Sequence, residues 1–217
     1  MSGGRVIGAV AIAAIAAVVL SAPAWGGGVE EISVTDAGDD SFQPKLVERA
    51  VGDASIVWKW DPANEDDHNV IQDKRLFRSG DPVPVDEDFT LDPSAGTFGY
   101  YCVVHGDDDS GMRGKLRIAP SLGAIRRQGP IDSFEVRWAT DNLDSGDRFD
   151  VHYRVGDRRW KSWRRNSGKI EGEFGANDKP LNVKPNRIYS FRARSKDSDN
   201  PKRRSGWSPV VSIGFSP

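Results

Sequence analysis

Cysteine, methionine and histidine, which bind soft metal ions, are rare in this chain of 217 residues, and three of these residues lie within eleven positions. Cys102 is the single cysteine, Met112 is the single methionine beyond the first residue, and His105 is one of three histidines. A trigonal copper site takes two imidazoles and one thiolate, with a thioether as a weak axial ligand. We therefore expect a metal site around Cys102, with His105 and Met112 supplied by the loop that follows it.

The second imidazole of such a site is expected from His68, which stands far upstream in the sequence Asp-His-Asn-Val at 67–70. Each residue alone has a simpler interpretation: a lone buried cysteine is often a small core residue, and Met112 could be a core residue after a glycine turn. Their joint occurrence favours a metal site. Zinc also accepts two imidazoles and a thiolate, whereas the soft thioether of Met112 favours copper.

The histidine count excludes several classes of metalloenzyme. Beyond His68 and His105 the chain has only His152, which lies in an alternating segment and is expected to be a structural or surface residue. The trinuclear clusters of multicopper oxidases and the three-histidine site of copper nitrite reductases need more imidazoles than one chain offers here. The site is therefore expected to catalyse no reaction that makes or breaks covalent bonds.

Short β-strands must position these donors. Segments 29–34, 55–60 and 99–103 are rich in β-branched and aromatic residues and are bounded by Gly, Pro and Asp. The second half repeats the pattern at 149–155 and 188–194, and no long helical stripe occurs beyond the N-terminal region. The chain is predicted to be all-β, with two Greek-key β-sandwiches in tandem.

The N-terminus has the features of a secretory signal peptide. Arg5 precedes an apolar run at residues 6–20 and an Ala-Pro-Ala site at 22–24. The alternative is a transmembrane anchor, but that needs about 18–20 apolar residues. We expect residues 1–24 to be removed and the protein to be exported (secreted, periplasmic or cell-surface), with no membrane span in the mature chain.

Charge divides the remaining chain into two halves. Residues 25–120 carry 20 acidic and 9 basic side chains, a net charge of −11, whereas residues 121–217 carry 12 and 20, a net charge of +8. With Arg5 these values give the total of −2. We expect one domain in each half, independent of the other and joined by a short linker at 120–123.

Residues 29–119 resemble the cupredoxins, and the plastocyanin and halocyanin group in particular. The resemblance lies in Gly-Asp at 52–53, His-Asn-Val at 68–70, Gly-Thr-Phe-Gly-Tyr-Tyr-Cys at 96–102, His105, and Gly-Met at 111–112. One feature differs: six residues separate His105 from Met112, whereas plastocyanin-like loops usually have four residues at this place. This extra length does not affect the other three ligands. It affects only the expected distance between the methionine sulfur and the metal.

The resemblance implies a cupredoxin-like copper-binding domain over residues 25–120. It implies one type 1 copper ion, held by His68, Cys102, His105 and Met112. Asn69 would then tie the two ligand loops together beside the thiolate. The implied activity is the transfer of single electrons. The same ligands would serve a copper carrier or sensor. A third alternative is an adhesion protein with a vestigial cupredoxin module, against which the intact ligand set argues.

Residues 121–217 resemble a fibronectin type III domain, a relative of the immunoglobulin fold. The pattern Leu-x-Val-x-Pro-x-x-x-Tyr-x-Phe-x-Ala-Arg at 181–194 matches the tyrosine corner of that family, with Tyr189 as the anchor. Trp138 on an early strand and Gly-Trp-Ser-Pro at 206–209 fit its first and last strands. The resemblance implies a spacer or adhesion module with no chemistry of its own.

Two kinds of charged segment point to partners. Acidic triplets at 65–67 and 107–109 flank the expected ligands; they either keep the loops solvated or steer a basic redox partner towards the copper. The segment 158–165 interleaves basic and aromatic residues. It is either a strand edge whose arginines stack on tryptophans or a surface for a cell-surface polyanion. Nucleic acid is not expected as a partner, because the protein is expected to be exported.

Overall fold

The computed structural model describes residues 28–128, 131–140, 146–175 and 183–214. Within these residues every regular element is a β-strand, so the predicted all-β fold is confirmed. In the same ranges, no helix is both long and apolar enough to span a bilayer. The proposed signal peptide, residues 1–24, lies outside the described residues.

The first half of the chain forms two four-stranded sheets, ordered β2-β1-β4-β6 and β3-β8-β7-β5. Their strands are β1 (Gly28–Thr35), β2 (Ser41–Gln43), β3 (Leu46–Ala50), β4 (Ala54–Trp60), β5 (Ile71–Gln72), β6 (Phe89–Leu91), β7 (Gly96–Gly106) and β8 (Gly111–Ala119). The pairs β1–β4 and β3–β8 are parallel, and the neighbouring pairs within these sheets are antiparallel.

Aromatic side chains pack the two sheets against each other. On β7, Phe98, Tyr100 and Cys102 are all buried, because successive side chains alternate between the two faces of a strand. The Tyr100 ring meets Trp58 of the opposite sheet edge to face, with centroids 5.3 Å apart, and meets Phe42 at 4.9 Å. Cys102 therefore continues a core-facing row that the opposite sheet already covers.

The second half forms two further sheets. One is ordered β10-β11-β14 with β9 also pairing β11, and the other is ordered β13-β12-β15-β16. Their strands are β9 (Ser121–Leu122), β10 (Arg126–Gln128), β11 (Ile131–Arg137), β12 (Asp147–Val155), β13 (Lys161–Ser167), β14 (Glu171–Phe174), β15 (Ile188–Asp197) and β16 (Val211–Gly214). Phe134, Phe174 and Phe191 form the aromatic core between these sheets. The Tyr189 hydroxyl accepts a hydrogen bond from the Lys184 N–H at 2.9 Å, the backbone contact that a tyrosine corner makes.

The two sandwiches touch where β7 begins. Thr97 and Gly206 exchange two backbone hydrogen bonds, of 3.1 and 2.9 Å, and the Thr97 hydroxyl donates to the Trp207 carbonyl at 2.8 Å. The Ala95 N–H donates to the Trp138 carbonyl at 2.8 Å. The expectation of independent domains is therefore wrong. That expectation rested on the screening of charge attraction by salt and on the lack of a large apolar interface, whereas these bonds join uncharged backbone and hydroxyl groups.

Candidate metal centre

A break in strand pairing shapes the segment that carries two of the expected ligands. β7 and β8 pair regularly from Gly96 to Tyr101, and their pairing resumes only where Gly106 meets Gly111. Cys102 is fully buried at the start of this break, and His105 lies near its end. The irregular segment frees His105 from the alternation of a regular strand, so that its ring returns to the same side as the thiol.

The three strongest ligand candidates converge. The Nδ1 atoms of His68 and His105 are 3.2 Å apart, and His105 Nδ1 is 3.8 Å from the Cys102 Sγ. Two metal–donor bonds of about 2.0–2.3 Å that meet at roughly 100–120° separate their donors by about 3.2–3.8 Å. The donor atoms of all three residues also lie within 4.8 Å of one another. These donors therefore stand at separations that suit a single metal ion.

His68 is positioned for binding in its neutral form. Its backbone N–H donates to the Val83 carbonyl at 2.9 Å, and its carbonyl accepts from the Val83 N–H at 3.1 Å, which fixes the residue from both sides. Burial, and then the neighbouring His105, lower the pKa of His68. Its Nδ1 lies 3.2 Å from that of His105, and in the neutral tautomer with the proton on Nε2 this atom presents a lone pair to the site.

Asp40 is a site residue that the sequence did not reveal. Its carboxylate oxygens lie 4.0 Å from His68 Nε2 and 3.8 Å from His105 Nε2, on the outer side of both rings. Within the described part of the chain, His68 Nε2 is buried without a hydrogen-bond partner. A carboxylate beside the outer nitrogens orients such rings and makes them better donors. Asp40 precedes β2, 28 residues before His68, and no local spacing links the two.

Asn69 connects the two ligand segments. Its Oδ1 accepts a hydrogen bond from the Val103 N–H at 3.0 Å, immediately after the thiol residue. Its Nδ2 donates to the Gly80 carbonyl at 3.1 Å, and the side chain is 4% exposed. One buried amide thus holds the loop of His68 against the end of β7.

The loop before Met112 absorbs the two extra residues in a tight turn. The Asp107 carboxylate accepts backbone hydrogen bonds from Asp109 at 2.8 Å and Ser110 at 2.7 Å, and these bonds lower the pKa of Asp107. Gly111 has φ = 79°, and a side chain there would collide with the carbonyl oxygen of the preceding histidine, so glycine is required. Met112 follows at the start of β8 and is 2% exposed. Its sulfur remains a predicted ligand.

His152 lies outside this centre, as its expected structural role implies. It lies on β12 of the second sandwich, and its ring contacts Trp207 with centroids 4.4 Å apart and ring planes tilted by 43°. Burial, and then the charge of Arg192, lower the pKa of His152. All three histidines are thus accounted for, two at the candidate site and one in the packing of the other sandwich.

No protein family and no curated protein matches the sequence. Among solved structures, reduced rusticyanin has a TM-score of 0.31 at 19% identity, covering 43% of this chain and 81% of its own. Auracyanin A, a "blue" copper protein from Chloroflexus aurantiacus, has a TM-score of 0.29 at 20% identity, covering 43% of this chain and 99% of its own. A cytokine receptor complex has a TM-score of 0.33 at 15% identity, covering 75% of this chain and 92% of its own. Likenesses this weak do not bear on function, which must follow from the site itself.

Proposed function

We propose that the protein binds one copper ion in a type 1 site and transfers single electrons. The ligands would be His68, Cys102, His105 and Met112. The observation that carries the proposal is the convergence of a buried thiol and two imidazole nitrogens at separations of 3.2 and 3.8 Å. A thiolate, two imidazoles and a thioether form the donor set of blue-copper sites rather than of zinc sites. The thioether of Met112 is buried and follows Cys102 closely in the sequence.

Bound copper would supply a one-electron couple, and the chain would hold its ligands still. His68 is clamped by Val83, and Asn69 fastens its loop to the end of β7. Cys102 is fully buried between packed sheets, which excludes water from the thiolate. A site that changes little between oxidation states needs little rearrangement when an electron moves.

His105 is the proposed exit route for the electron. Its side chain is 18% exposed, whereas that of His68 is fully buried. Val103 and Val104 beside it are 45% and 52% exposed, so the imidazole edge lies next to a small apolar surface. A redox partner that covers these valines would come close to the ring. The exposed acidic residues at 107–109 favour a basic partner.

The experiment is reconstitution of the full chain with Cu(II), followed by absorption and EPR spectroscopy. We expect an intense thiolate-to-copper band towards the red end of the visible spectrum, which Cys102→Ser should abolish because the charge-transfer donor is lost. Ser110→Ala, in the exposed turn before Met112, is the matched control and should keep the colour. A wild type that binds stoichiometric copper but stays colourless would refute the type 1 assignment. Rapid electron self-exchange would distinguish electron transfer from copper carriage.

We further propose that the protein is exported after removal of residues 1–24, and that residues 121–217 are a fibronectin type III-like module that spaces or attaches the copper domain. The apolar run at 6–20 and the Ala-Pro-Ala site at 22–24 support export. The mass of the protein recovered from an exporting host tests this, with Trp25 expected as the first residue. A retained N-terminus in a membrane fraction would indicate an anchor instead.

A further inference from the structure

The outer face of the β13-β12-β15-β16 sheet carries arginines and tryptophans in alternation. The Arg154 guanidinium lies 4.9 Å from the ring centroid of Trp160, and Arg192 lies 4.4 Å from the same ring. Arg192 is also 4.4 Å from Trp207, and Arg194 is 4.6 Å from Trp207 on the same face. These five side chains, Arg154, Trp160, Arg192, Trp207 and Arg194, are called the Arg–Trp ladder below.

The pleat of two paired strands creates the ladder. Arg192 and Arg194 are two residues apart on β15, so both leave the same face, while Phe191 and Ala193 between and beside them enter the core. On β12, Arg154 is paired with Ser190, which precedes Arg192 by two residues on β15. Arg154 therefore lies on the same face as Arg192. The stacking interpretation of segment 158–165 is confirmed at Arg164, which lies 4.5 Å from the Trp163 ring.

The ladder has more positive charge than its protein partners neutralise. Arg194 pairs with Asp150 at 2.8 Å, but that carboxylate also pairs with Lys196 at 2.8 Å and is only 5% exposed. In the described ranges, Arg154 and Arg192 form no ion pair, and their Nε atoms are buried without a hydrogen-bond partner. Burial, and then the charges of Arg154 and Arg194, lower the pKa of Arg192. The face therefore holds cations that an external anion would stabilise.

A cationic cavity extends the ladder at one end. Beyond Arg154, the strand ends at Val155, which helps to line a cavity of about 450 Å³. Its lining includes Arg158, Lys184 and Arg187 and contains no acidic residue. Val155 directly follows Arg154 on β12, so the cavity adjoins the Arg154 end of the ladder.

The stacking also restricts the kind of anion that fits. Arg154 and Arg192 lie over the Trp160 ring, and Arg192 and Arg194 lie over the Trp207 ring. The Trp207 ring also contacts His152, so these indoles leave little free surface for a nucleic-acid base to stack on. What remains for a ligand is the outer edges of the guanidinium groups, which bind carboxylates and sulfates through paired N–H donors. Stacking has already fixed these side chains, so binding costs little further conformational entropy.

We propose that the Arg–Trp ladder and the adjoining cavity bind a linear anionic polysaccharide, whose carboxylate or sulfate groups contact Arg154 and Arg192. A line of cations along a sheet face matches an extended chain with repeated charges. The proposal does not depend on copper, because every residue in it belongs to the second sandwich. If the ladder binds no polysaccharide, the proposed copper site is unaffected, and the reverse also holds.

The test is binding of the full chain to dextran sulfate, polygalacturonate and neutral dextran at two salt concentrations. We expect both anionic polymers to bind and neutral dextran not to bind, with affinity falling as salt rises. The double variant Arg154→Gln/Arg192→Gln should weaken binding by about tenfold or more, since each lost charge-assisted bond is strong. Arg126→Gln, an exposed arginine on β10 of the opposite sheet, removes one charge elsewhere and should change affinity by less than about twofold. The two anionic polymers separate carboxylate from sulfate recognition.

Arg192→Lys keeps the charge but loses the planar fork, so it should bind with intermediate affinity. If thermal melting shows that the double variant is unfolded, the affinity of Arg192→Lys tests the role of the ladder instead. The proposal is overturned if the wild type binds neither anionic polymer, or if Arg126→Gln is weakened as much as the ladder variant. It is equally overturned if single-stranded DNA binds more tightly than both polysaccharides.

Discussion

Met112 is the residue whose role at the proposed copper site depends most on local geometry. It is buried at the start of β8, directly after a glycine whose conformation closes the ligand loop. A thioether bonds weakly to copper and mainly sets its potential. Met112→Leu should therefore leave copper bound and raise the reduction potential by about 60 mV or more, a tenfold change in the equilibrium for one electron. Voltammetry checks this, and an unchanged potential and spectrum would show that Met112 is only a core residue.

Asp40 should influence the potential through its charge. Its carboxylate lies within 4.0 Å of the outer nitrogens of both histidines, and its side chain is 30% exposed. A negative charge at such a partly buried position favours Cu(II) by about 1 kcal/mol. Asp40→Asn should accordingly raise the reduction potential by about 40 mV.

The matched control for that measurement is Asp39→Asn, which removes the same charge from the neighbouring exposed position. It should shift the potential much less, because water screens an exposed carboxylate. Equal shifts in the two variants would mean that Asp40 acts only through the net charge of the domain.

At the scale of elements, Asp150 joins three strands of the second sandwich. It lies on β12 and accepts hydrogen bonds from Arg194 and Lys196 of β15, both at 2.8 Å, and from the Asn166 N–H of β13 at 3.0 Å. Burial alone would raise the pKa of Asp150, but the hydrogen bonds from these partners outweigh it and hold the pKa at about 2, below the ordinary 3.8. The ionised carboxylate is therefore a structural group that fastens the ladder sheet.

A lowered pKa means that this stabilisation is present above pH 4 and is lost as the pH falls from about 4 to about 2. Asp150→Asn should lower the free energy of unfolding near neutral pH by about 2 kcal/mol, and the difference from wild type should vanish towards pH 2. Urea unfolding at several pH values measures this. Asp157→Asn, in the exposed turn after β12, should show neither effect; a loss that is independent of pH would assign the stabilisation to packing.

At the scale of the whole molecule, hydrogen bonds between uncharged groups fix one sandwich to the other. Besides the Thr97–Gly206 pair, the hydroxyls of Ser94 and Ser195 lie 2.6 Å apart and are buried. The contact begins at the first residues of β7, the strand that carries Cys102 further along. The second sandwich is therefore anchored to a ligand-bearing strand, and a polymer held on the ladder would hold the copper site with it.

This arrangement predicts a compact envelope in small-angle scattering that does not change between low and high salt, because the bonds are not ionic. Gly206→Val should open the contact and increase the radius of gyration, since even a first side-chain carbon there would lie 3.3 Å from the Thr97 Cβ. Gly214→Val, on β16, is the matched control and should leave the envelope unchanged. An envelope that expands with salt in the wild type would contradict a fixed contact.

Local patterns in the sequence were sufficient to predict the donor set of the candidate site and the class of the fold. The rarity of cysteine, methionine and histidine made Cys102, His105 and Met112 conspicuous, and the segment at 68–70 supplied the second imidazole. The alternating segments were sufficient to predict an all-β chain. These signals are local: donor spacing within one loop and side-chain alternation within one strand are readable without knowing which strands are neighbours.

Contacts between residues that are far apart in the chain became known only from the folded structure. Asp40 reaches both histidines, Thr97 binds Gly206, and Arg192 stacks between Trp160 and Trp207, although none of these contacts has a local pattern. Each depends on strand order and register, which bring together residues that are far apart in the chain. The expectation of independent halves was wrong because it considered only screened charge attraction and a large apolar interface, whereas the contact between the halves consists of a few uncharged groups at hydrogen-bond distance.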